Sequence, residues 1–130
     1  MRKRAIGVVL VLGIGLPACG GGHESMDMSS HAEESAPVVP GARVVDVTGD
    51  AYTFAPDRIE VPAATDFTIA LRSTDIPHDV TVEGVGHVVH AKGGKSARGG
   101  LNIARAGTYT FYCSVKGHRS EGMTGEIVVS

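Results

Sequence analysis

From residue 41 to the C-terminus, apolar and polar side chains alternate in short runs. Phe67, Ile69 and Leu71 are each separated by one residue, so a strand over 66–72 puts all three on one face. Val80 and Val82 do the same over 79–83, and Tyr109, Phe111 and Cys113 over 108–114. Shorter β-prone runs occupy 43–47, 52–54, 58–61, 87–91, 101–104 and 125–129. Turn formers separate them: Thr48-Gly49-Asp50, Pro62-Ala63-Ala64, Gly84-Val85-Gly86, Gly93-Gly94, Gly99-Gly100 and Ala106-Gly107. No segment of this stretch carries ten or more residues at helical period. Seven or eight short strands with frequent turns predict an all-β fold, a two-sheet antiparallel sandwich of Greek-key type.

The first forty residues follow a different pattern. Arg2, Lys3 and Arg4 precede an apolar run over 5–16, too short to cross a bilayer as a permanent helix. Leu16-Pro17-Ala18-Cys19 then resembles a bacterial lipobox, with Pro17 an unusual occupant. The resemblance implies that residues 1–18 are a lipoprotein signal peptide and that Cys19 becomes the lipidated first residue of an exported chain. Over 20–40 the chain is rich in Gly, Ser, Ala, Pro and acid and lacks apolar periodicity. Residues 19–40 are therefore expected to be a flexible acidic tether, with a root-mean-square span of roughly 25 Å. Residues 41–130 form one domain, near the small end of what folds unaided.

Charge narrows the choice of partners. Without the signal peptide, nine Lys and Arg stand against fourteen Asp and Glu, and four of those acids lie in the tether. The domain itself is close to neutral. It offers no basic stripe, so nucleic acid is not an expected partner.

The candidate chemistry lies near the C-terminus. Cys113, His118 and Met123 stand five positions apart. A thiolate, an imidazole and a thioether are a soft ligand set, and a second histidine would complete the trigonal His₂Cys arrangement with a long axial Met that holds blue copper. Pro77-His78 supplies that histidine from another loop. Cys113 ends a strand whose odd members face inward, so its thiolate would need a cation to neutralise it in apolar surroundings. With Cys19 lipidated, Cys113 is also a lone thiol outside the reducing cytosol, and coordination protects it from oxidation. Zinc is the main chemical rival, since Cys and His serve it well, but a thioether suits copper better. A dinuclear copper site needs two cysteines on the loop, which holds one. Other histidines carry less weight. His87 and His90 are expected at the surface, and His23, Met26, Met28 and His31 of the tether could form a Cu(I)-capturing arm.

These motifs together resemble a cupredoxin, the blue copper family of plastocyanin and azurin. The resemblance runs from about residue 52 to 129. It is carried by Phe54-Ala55-Pro56, Pro77-His78-Asp79-Val80, Gly107-Thr108-Tyr109-Thr110-Phe111-Tyr112-Cys113 and Gly125-Glu126-Ile127-Val128-Val129. The gaps on either side of His118 are similar to those of auracyanin, rusticyanin and sulfocyanin. The resemblance implies one copper per domain, cycling between Cu(I) and Cu(II), held by His78, Cys113, His118 and axial Met123. Asp79 stands where Asn is common in the family. That neighbour usually ties the two ligand loops together, so Asp79 is expected to do so with Ser114, its charge favouring Cu(II). Lys116 replaces a frequent proline, which implies a looser and more positive loop.

The expected function is a monomeric carrier of single electrons between extracytoplasmic redox proteins, docking near His118 and held to a membrane by its N-terminal lipid. Four ligands leave no open position for a substrate, so enzymatic activity is not expected. Copper capture, storage or delivery is the alternative, favoured by the Met and His of the tether.

Overall fold

The computed structural model describes residues 35–130. The expected signal peptide over 1–18, Cys19 and the positions His23, Met26, Met28 and His31 of the expected tether lie outside the described residues. Nine strands follow one another: β1 (Arg43–Asp50), β2 (Thr53–Ala55), β3 (Arg58–Val61), β4 (Phe67–Ser73), β5 (His78–Val82), β6 (Gly86–Ala91), β7 (Ser96–Leu101), β8 (Gly107–Tyr112) and β9 (Thr124–Val129). They form two sheets, in the orders β2-β1-β4-β7 and β3-β9-β8-β5-β6. The all-β sandwich is as the alternation predicts.

Alternation places the core between the sheets. Phe67, Ile69 and Leu71 of β4, Val80 and Val82 of β5, and Phe111 of β8 are all buried. The rings of Phe54 and Phe111 meet across the sandwich at 5.0 Å, tilted by 53°, a favourable aromatic geometry.

Two pairings differ from the purely antiparallel expectation. β1 runs parallel to β4, and β3 runs parallel to β9. Parallel neighbours need a crossover. Between β1 and β4 the chain passes through β3, which belongs to the other sheet, so β4 arrives in the direction of β1.

The glycines account for the largest misreadings. Gly99-Gly100, expected as a turn, lies inside β7, whereas the strand expected over 101–104 begins only at that strand's last residue. A Cβ on Gly99 would run into the carbonyl of Val88, and one on Gly100 into the carbonyl of Pro37. These glycines mark close backbone approach rather than reversal. The chain before β1 exploits this gap. The Ala36 N–H donates to Val88 O at 2.7 Å and the Gly100 N–H to Ala36 O at 3.1 Å, while the His90 N–H donates to Ser35 Oγ at 3.3 Å. Residues 35–37 thus bridge β6 of one sheet and β7 of the other, covering both edges.

Candidate metal centre

The site is built where β5 begins and β8 ends. His78 is the first residue of β5, and Cys113 follows directly on β8. The β5–β8 register pairs Thr81 with Tyr112 and Val82 with Phe111; continued by one residue it sets Cys113 opposite Val80, with His78 two positions further along β5 at the same rim. Cys113 continues the inward face of β8 and is wholly buried, as is His78. The chain then turns back on itself. The His118 N–H donates to Val115 O at 3.0 Å, the Met123 N–H to His118 O at 3.2 Å and the Cys113 N–H to Met123 O at 3.2 Å. Those bonds fold the 113–123 loop into a closed hook with His118 at its tip, and Met123 is fully buried at its return.

Three donor atoms converge inside this hook. Cys113 Sγ lies 3.4 Å from His118 Nδ1 and 4.0 Å from His78 Nδ1, and the two Nδ1 atoms are 3.3 Å apart. Three N and S donors at bond lengths of ~2.0–2.3 Å around one ion, with trigonal angles, would stand about 3.5–3.8 Å apart. The triangle fits one small ion. Hydrogen bonding prepares a lone pair for that ion. Asp75 Oδ1 accepts from His78 Nε2 at 2.8 Å, and a carboxylate only accepts, so the His78 proton sits on Nε2 and the Nδ1 lone pair faces the cluster. His78, Cys113 and His118 thus form a buried metal site, and a thiolate with two imidazoles is donor chemistry that suits copper.

Protonation follows from burial. Burial pushes the Cys113 thiol up, partly countered by N–H groups at Asp79 and Val115. Burial, and then the neighbouring His78, pull the His118 imidazole down. The metal-free site therefore holds a protonated thiol beside a neutral His118. Metal must displace the thiol proton, so its affinity rises with pH.

Asp79 and Ser114 tie the two ligand loops together. Asp79 Oδ1 accepts the Ser114 N–H at 2.7 Å, and Oδ2 accepts the Ser114 hydroxyl. The Asp79 N–H points at Cys113 Sγ from 3.4 Å. Sequence reasoning missed Asp75. Its carboxyl is held down at about 2, first by the Ile76 N–H and then by His78. An acid three residues before a ligand histidine was the available signal.

Two expectations change in detail. Docking near His118 implies an exposed imidazole. Gly117 and Arg119 are exposed, but the His118 side chain is only 6% so, because the Tyr52 ring meets it edge-on at 5.0 Å. His87 and His90 are half-buried rather than on the surface. His90 pairs with Asp79 across β5 and β6, and His87 Nδ1 lies 3.4 Å from Thr81 Oγ1, which donates to Asp79.

The fold is shared widely among solved structures. Auracyanin B superposes with a TM-score of 0.64 at 16% identity, covering 75% of this chain and 96% of that one. Auracyanin A of Chloroflexus aurantiacus, described as a "blue" copper protein, gives 0.60 at 18% identity over 69% and 100%. A chain in a heme-copper terminal oxidase dimer gives 0.55 at 20% identity over 75% and 72%. At these identities the likeness shows the fold alone. No curated protein matches the chain significantly. The family profile is more telling, since it spans the tail of the acidic segment and every strand: the cupredoxin-like domain matches residues 26–129, and the chain belongs to that family.

Proposed function

We propose that the protein is a mononuclear type 1 blue copper protein that transfers single electrons between extracytoplasmic redox partners and is not an enzyme. The convergence of His78 Nδ1, His118 Nδ1 and Cys113 Sγ at 3.3 to 4.0 Å within a closed hook carries this reading. Copper would supply a one-electron couple, and Met123, buried at the return of the hook, would be its weak axial donor. Ligands from two strands and one pinned loop hold their positions whichever charge the metal carries, which keeps reorganisation small. Tyr52 against His118 and Ile76 two residues before His78 are large apolar side chains, each more than a third exposed. They offer a docking patch for a redox protein near His118. Cys19, read as lipidated, would hold the domain at the outer side of a membrane.

Electrochemistry in the presence of a moderate Cu(I) chelator tests this. The copper-loaded protein should cycle reversibly and keep its metal. Met123→Leu should also keep copper but at a raised potential, because loss of a weak donor destabilises Cu(II) more than Cu(I). The second reading, copper capture and delivery, draws on His23, Met26, Met28 and His31 in the sequence. Loss of Cu(I) to the chelator, with loading that depends on those four residues, would favour it instead. The anchor has its own check. Wild-type protein should fractionate with membranes and Cys19→Ala should not, since the diacylglyceryl unit of a lipoprotein gives two-chain attachment. Wild-type protein recovered wholly in the soluble fraction would rule the anchor out.

A further inference from the structure

Asp75 sits between two parts of the site. Its Oδ1 accepts from His78 Nε2 at 2.8 Å, and its Oδ2 accepts the Ala51 N–H at 3.0 Å. Ala51 and Tyr52 form the turn between β1 and β2, and both hold positive φ, at 44° and 70°. L-residues adopt that region only when their surroundings enforce it. The neighbouring Thr74 N–H also reaches back to Gly49 O at 3.1 Å. Gly49 in turn lies under His78, where a Cβ would come within 3.1 to 3.2 Å of three carbons of that side chain. The turn so held presents the Tyr52 ring edge-on to His118. One carboxylate therefore touches His78 directly and reaches the cover of His118 through a single backbone bond.

We propose that Asp75 is a positioning residue for both histidines: it fixes His78 as the Nε2–H tautomer with an electron-rich Nδ1, and it clasps the Ala51–Tyr52 turn that walls His118. A charged acceptor on the far nitrogen raises the basicity of the near one. Cu(II) gains more from a stronger donor than Cu(I) does, so the carboxylate lowers the potential. This redox consequence rests on the copper reading above. The tautomer and the clasp do not.

The test has two arms. In metal-free wild-type protein, nitrogen-15 NMR should find His78 protonated on Nε2, and Asp75→Ala should release that preference. In copper-loaded protein, Asp75→Asn keeps an acceptor for His78 but removes the charge and the second acceptor. Its affinity for Cu(II) should fall ~10–100-fold, with a smaller loss for Cu(I), and each tenfold difference between the two reads as a potential raised by about 59 mV. The Tyr52 ring resonances of the metal-free variant should shift as the turn relaxes. His78 protonated on Nδ1 in the metal-free wild type would overturn the proposal, as would an unchanged or lowered potential in Asp75→Asn. Wild-type protein that binds no copper, yet holds His78 as the Nε2–H tautomer, would sink the copper reading and leave the positioning role standing.

Discussion

Cys113→Ser should leave a colourless protein. The intense visible band expected of the Cu(II)-loaded wild type comes from thiolate-to-copper charge transfer, and Cys113 Sγ lies within 4.0 Å of both histidine Nδ1 atoms. A serine oxygen would occupy nearly the same space, but it stays protonated at neutral pH and cannot replace the thiolate charge. Copper binding should weaken sharply with the band. The fold should suffer little. The Asp79 N–H, which now meets the sulfur at 3.4 Å, can donate to a hydroxyl, so the buried oxygen is not orphaned and the cost should stay below the ~1–3 kcal/mol of an unmade buried hydrogen bond. Absorption spectra of the loaded protein and thermal melts of the metal-free one separate the two effects. A wild-type protein without the band, or one that prefers zinc, would overturn the blue-copper assignment.

The ligands were legible because each one rests on a local pattern. Strict alternation through Tyr109, Phe111 and Cys113 sets the side to which the sulfur points, and the even spacing to His118 and Met123 marks one loop. Their convergence with His78 was an inference from chemistry, which the β5–β8 register now explains. What stayed hidden depends on contacts distant in sequence. Asp75 matters through bonds to His78 and to Ala51, 24 positions earlier, and no periodicity marks an exposed acid in a loop. The cover over His118 was hidden for the same reason, since Tyr52, which meets its ring edge-on, stands near the start of the domain in sequence. Glycine misled most. Gly49, Gly99 and Gly100 were read as turns because glycine commonly serves there, yet all three lie within strands. At each of them a packed ring or a carbonyl takes the place of a side chain, and sequence alone does not separate those two uses.

That distinction leads to the second large effect. Gly99→Ala should be strongly destabilising, although it adds one methyl group to a strand residue. The new Cβ would overlap the Val88 carbonyl oxygen, come within 2.8 Å of the Val88 carbonyl carbon and lie 2.9 Å from Val89 Cβ. The obstacle is backbone, which cannot rotate aside as a side chain can, so β6 and β7 must part. Parting them also pulls on the Ala36 bridge, whose N–H is bonded to that same Val88 oxygen. Overpacking of this kind costs about 1–3 kcal/mol and occasionally more, and the upper end is expected here. In a domain of this size each kcal/mol lowers the melting temperature by roughly 4–8 °C, so a metal-free melt should fall by roughly 12–24 °C. Gly94→Ala is the comparison. No atom lies within 4 Å of its Cβ position, but its φ is 72°, so the left-handed penalty of about 1–2 kcal/mol acts alone. A Gly99→Ala melt no lower than that of Gly94→Ala would mean that β6 and β7 are held together more loosely than the packing indicates. The damage should also reach the metal. β6 pairs Ala91 with His78 and His90 with Asp79, so a displaced β6 moves the strand that carries the first ligand. Copper affinity should therefore fall in Gly99→Ala and hold in Gly94→Ala.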